Sequence, residues 1–157
     1  MFSTMESTEA RQLARTMERA EAAPYIHYPR WPRLFSLAFG LWFAAILAAV
    51  THNDGNLLVS AGLLALVVIE LVYFAWYTRK HGAFPLPFKG NPPAEIARVF
   101  GEYFASWAVT LVVVGLVWWQ AGDWAAVGAT FVCVTVLFWV HDIRYAAAAD
   151  AAKERLA

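Results

Sequence analysis

Between Asn56 and Tyr77 the chain reads NLLVSAGLLALVVIELVYFAWY, and Glu70 is the single charged side chain of that run. A helix of about 20 apolar residues, rising about 1.5 Å per residue, crosses a hydrocarbon core of about 30 Å. Within lipid the backbone must satisfy its own hydrogen bonds, so a run of this kind is helical. Three more apolar runs accompany it, at about 34–51, 96–119 and 124–141. Hydrophobic residues make up 61% of the chain and charged residues 15%. Ordinary soluble domains hold about 45–50% and about 25%. The sequence therefore predicts an all-α integral membrane protein.

The cations fix a topology. Of the twelve Lys and Arg residues, Arg11, Arg15, Arg19, Arg30 and Arg33 precede the first run. Arg79, Lys80, Lys89 and Arg98 lie between the second and third or at the start of the third, and Arg144, Lys153 and Arg155 follow or end the fourth. The turns His52–Asn56 and Gln120–Asp123 have none. By the positive-inside rule this predicts four antiparallel spans with both termini cytoplasmic. An odd number of spans would split the pattern. The expected location is a bacterial inner membrane.

Residues 1–33 form the predicted cytoplasmic or interfacial lead. Ser3 and Glu6 have capping-box spacing, and Ala10, Leu13, Ala14 and Met17 share one helical face, which predicts an amphipathic helix over 3–22. Arg11, Arg15 and Arg19 form a row suited to an anionic lipid surface or a partner. The acidic residues ahead of the first apolar run do not suit a secretory signal. Pro24, Pro29 and Pro32 are expected to break the helix. The loop 82–93 is Pro-rich, and its Phe84 and Phe88 are expected at the interface or on a partner. Asn91 followed by Pro92 reads as an N-cap with Pro at the first helical position. The tail, 143–157, is expected to continue as a cytoplasmic helix.

Glu70 and Glu102 carry the main chemical question. Counting along the helices puts both about 9 Å above the inner face, with His141 and Asp142 about 5 Å or less from it. Two carboxylates in contact in a low dielectric share a proton, which suits a proton or cation site. Pairing with Arg98 or Arg79, or hydrogen bonds to neighbouring aromatic side chains, would make them structural instead. Glu70, Glu102, His141 and Asp142 together are a candidate metal set, although four-helix metal sites use a Glu-x-x-His pair that is missing here. The histidines are not placed for a haem between spans, and the cofactor is unknown. No GxSxG, HExxH, CxxC or Gly-rich phosphate loop occurs. Cys133 is the one cysteine and reads as a packing residue.

Gly40, Ala44 and Ala48 form a smooth stripe that lets another helix approach closely. With zero net charge, nothing points to nucleic acid. The expected partners are the lipid bilayer and either other membrane subunits or a second copy. The sequence points first to a non-catalytic accessory subunit of a membrane complex. The alternatives are a small proton- or cation-coupled transporter using the two glutamates, and a metal-binding subunit of a membrane oxidoreductase.

Overall fold

A computed structural model describes residues 2–27, 34–81 and 91–156. These residues form five helices: α1 (Phe2–Ile26), α2 (Leu34–Thr51), α3 (Leu57–His81), α4 (Ala94–Ala121) and α5 (Asp123–Leu156). No strand occurs among them. Helices α2 to α5 are each long and apolar enough to cross a membrane.

The boundaries have local causes. Asn56 Oδ1 accepts a hydrogen bond from the Leu58 amide at 2.9 Å and so caps α3. Gly55, at φ 77°, makes the turn before it. Pro93, not Asn91, occupies the N-cap position of α4, and no side chain caps that end. The expected Asn91–Pro92 start therefore moves down the chain, and helical residues begin at Ala94. The Pro93 carbonyl accepts from the Ile96 and Ala97 amides, each at 2.9 Å. Gly122 alone joins α4 to α5. Its φ of 80° is the left-handed conformation, and its amide closes on the Trp118 carbonyl at 3.0 Å. Trp118 Nε1 also donates to Asp123 Oδ1 at 2.7 Å, which ties the two helices across the turn.

Helix α5 is the spine, with α2 and α4 packed along it. Ser36, Gly40 and Ala44 of α2 are buried at four-residue spacing, and Ala126, Thr130, Val134 and Leu137 are buried on α5. A Cβ on Gly40 would stand 2.0 Å from Thr135 Oγ1 and 2.8 Å from the Phe131 carbonyl oxygen. The small-residue stripe thus brings two helices of the same chain together. Gly40 and Ala44 are buried in this way, while Ala48 is half-buried. Helix α3 is different. It touches α2 lightly, and its apolar window buries no residue at all.

Helix α1 packs on the far end of α5. Ala22, Tyr25 and Ile26 of α1 form a buried cluster with Ile96 and Val99 of α4 and with Tyr145, Ala149 and Ala152 of α5. Burying a side chain such as Ile96 completely contributes about 1.5–3 kcal/mol. The Tyr145 hydroxyl donates to the Tyr25 carbonyl at 2.9 Å. That carbonyl is near the end of α1, where acceptors lack partners within the helix.

Leu13 and Met17, on the expected apolar face, are 67% and 62% exposed, and α1 docks on the chain through its last turn. One expectation about α1 is corrected. Pro24 lies within the helix, which continues to Ile26. A proline only two residues from the helix end removes one backbone bond, and burial of Tyr25 and Ile26 outweighs that loss. The breaking role expected of Pro29 and Pro32, the loop residues Phe84 and Phe88, and the Arg11 side chain lie outside the described residues.

Candidate functional site

The carboxylates and their neighbours sit toward the α1 end of α3, α4 and α5. Rings from four helices surround the region. Phe39 of α2 stacks on Phe138 of α5 with centroids 4.5 Å apart and planes 11° from parallel. Phe43 meets Trp107 of α4 at 5.2 Å, and Phe35 meets Tyr73 of α3 at 5.9 Å. Aromatic pairs with centroids 4.5–7 Å apart contribute about 0.5–1.5 kcal/mol beyond their buried area. They fix the inward edges of all four helices at this level.

Glu102 has cationic partners. It receives Arg98 Nε at 3.3 Å from the turn below and Arg144 from α5. The Arg98 contact joins residues four apart on α4, whereas the Arg144 contact joins two helices. Ser106 donates to the Glu102 carbonyl at 2.8 Å, so its hydroxyl is satisfied by its own helix.

His141 lies against aromatic rings. Its ring is 4.4 Å from Tyr103, 5.8 Å from Tyr145 and 6.2 Å from Phe100. It is half-buried, as is its neighbour Asp142. Glu70 is half-buried on α3 and makes no hydrogen bond or ion pair with a described residue. No hydrogen bond joins Glu70 to Glu102. Among the described residues, no three His, Cys, Asp or Glu side chains come together as a metal centre requires.

At the end of α5 a second set of ionic contacts forms. Arg155 donates to Glu18 of α1 at 2.7 Å and to Glu95 of α4 at 3.1 Å. Arg19, from the expected basic row, donates to the Leu156 carbonyl at 2.5 Å. A cation at a helix C-terminus is favoured by the helix dipole and satisfies a terminal acceptor. Arg15 is exposed.

Two cations with structural partners were not identifiable from composition. Arg144 reads in the sequence as a flanking charge after the fourth apolar run. It lies three residues beyond His141, hence on the same face of a continuing helix, and that spacing was the available signal. Arg155 gave less. Its partners are 137 and 60 residues away in sequence. No protein family, curated protein or solved structure matches the chain.

Proposed function

We propose that the chain is a non-catalytic accessory subunit of a membrane complex, joined to its partner through α3. The supporting observation is Glu70. A carboxylate at membrane depth is costly unless another group compensates it. Within the chain Glu102 has two guanidinium partners, while Glu70 has no ionic or hydrogen-bonding partner among the described residues. Its helix also buries none of its apolar window. A donor on a neighbouring transmembrane helix from another protein would satisfy both deficits.

In this reading the four long helices are antiparallel spans of a bacterial inner membrane. The twelve cations and both termini are on the cytoplasmic side, where α1 packs on the tail of α5. The proton-site alternative has less support, because a shared proton needs two carboxylates in contact and Glu102 is engaged by arginines.

Purification from native membranes in mild detergent tests this. A stable complex with a second membrane protein is expected, and Glu70→Leu should release that partner while α1 stays docked. Isolation of the wild-type chain alone or as a homodimer overturns the proposal. Proton flux in liposomes that disappears in Glu70→Gln would replace it with the transporter reading. Stoichiometric metal lost on His141→Ala would replace it with the oxidoreductase reading.

A further inference from the structure

We propose that the groove between α4 and α5 binds one anionic phospholipid of the cytoplasmic leaflet, its phosphate at Arg144 and Arg98 and one acyl chain along the groove. The inference rests on reading the helices as membrane spans and is independent of the accessory role.

The groove has a volume of about 520 Å³ and is lined by α4 and α5 alone. Its origin is legible in side-chain size. Ala105 and Cys133 are short, and Val109, Val113, Val132 and Val136 do not reach across the gap. Valine is stiff at χ1 in a helix, so these walls do not collapse inward. The result is a fixed trough of aliphatic carbon.

One end differs chemically from the rest. Glu102, His141 and Arg144 line it, and Arg98 joins them through Glu102. Two guanidiniums against one carboxylate leave one positive charge in excess. Arg144 is 58% exposed and Arg98 83%, so both retain donors for a further anion. Guanidinium donors match phosphate oxygens in geometry.

Length decides between a lipid chain and a protein helix. The α4 lining runs from Val99 to Val113, and its part beyond the charged end, Tyr103 to Val113, rises about 15 Å at about 1.5 Å per residue. That is half of a hydrocarbon core of about 30 Å. A transmembrane partner helix would need the full thickness. An acyl chain anchored at the cytoplasmic interface needs one leaflet, with its charge at the end where the arginines stand.

The full chain in mild detergent would be titrated with phosphatidylglycerol and with phosphatidylcholine of the same acyl composition, and bound lipid counted by native mass spectrometry. One phosphatidylglycerol per chain should bind in preference to phosphatidylcholine. Arg144→Gln should weaken phosphatidylglycerol about fivefold, the weight of one basic side chain at a lipid surface. Glu102→Gln should strengthen it by a similar factor, because it removes the competing anion, and a misfolded variant would not gain affinity. Val136→Trp, which fills the trough, should abolish selective retention. Equal binding of the two lipids overturns the proposal, as does unchanged or weakened phosphatidylglycerol binding in Glu102→Gln. Displacement of the lipid by glycerol phosphate at comparable concentration would show a bare anion site and also overturn it.

Discussion

Gly40 of α2 meets Thr135 of α5 with no room for a side chain, since a Cβ on the glycine would lie 2.0 Å from the hydroxyl oxygen. Threonine divides between two rotamers in a helix, so its hydroxyl can turn aside. The Phe131 carbonyl, 2.8 Å from the same point, is backbone and does not move without the helix.

Gly40→Ala should therefore push α2 off α5 and cost about 1–3 kcal/mol, the usual range for overpacking. Thermal unfolding in detergent, followed by circular dichroism, measures it. Adding Thr135→Ala should recover only part of the loss, because the Phe131 carbonyl remains. Full recovery would show that the carbonyl is not a barrier.

Arg155 bridges Glu18 and Glu95, and thus α1 and α4, from the end of α5. All three side chains are partly open to solvent, so the contacts are screened. Arg155→Gln should speed amide exchange in the last turns of α1 roughly two- to fivefold, the scale of exposed ion pairs. Salt at about 1 M, where the screening length is about 3 Å, should bring wild type close to the variant. The apolar cluster around Ile96 should keep α1 docked in both.

Burial raises the Tyr145 phenol above the ordinary value of 10.0 for tyrosine, and burial raises Tyr25 as well. A raised value in the folded state means that the neutral phenol stabilises the fold. That contribution is complete below pH about 10 and is lost as pH rises through the folded value. Absorbance titration of tyrosinate should show a late-ionising phenol that Tyr145→Phe removes. The same variant should lose about 1 kcal/mol at neutral pH with its hydrogen bond to Tyr25, and its melting temperature should fall less steeply above pH about 10. A Tyr145 that titrates with the exposed phenols would place it outside the cluster.

The apolar runs were legible because crossing lipid demands length and composition, which a sequence displays directly. The first run, 34–51, coincides with α2. Which helix packs on which was not legible. In lipid every aliphatic face is equally soluble, so hydrophobic periodicity does not mark the contact side. Nothing in Leu57–Tyr77 shows that α3 packs on α2 so lightly. Charged contacts were half legible. Arg98 is four residues from Glu102 and could be paired by spacing, but Arg144 required knowing that α5 continues past His141 in the same rotation. For α1, the Ala10–Met17 stripe gave the helix, while the turn that docks on α4 and α5 lies beyond it, at Ala22, Tyr25 and Ile26. Alanine-rich stripes bury little area, whereas Tyr25 and Ile26 bury much more in a single turn.

Helix α5 runs from Asp123 to Leu156 without interruption, 34 residues in all. At about 1.5 Å per residue that is about 51 Å, well beyond a hydrocarbon core of about 30 Å. It has no proline or glycine between Thr130 and its end. Such a rod turns tilt into travel. Under the proposal that α5 spans a bilayer, a lean of the helix moves its far tip sideways, and α1, packed on that tip, is carried with it.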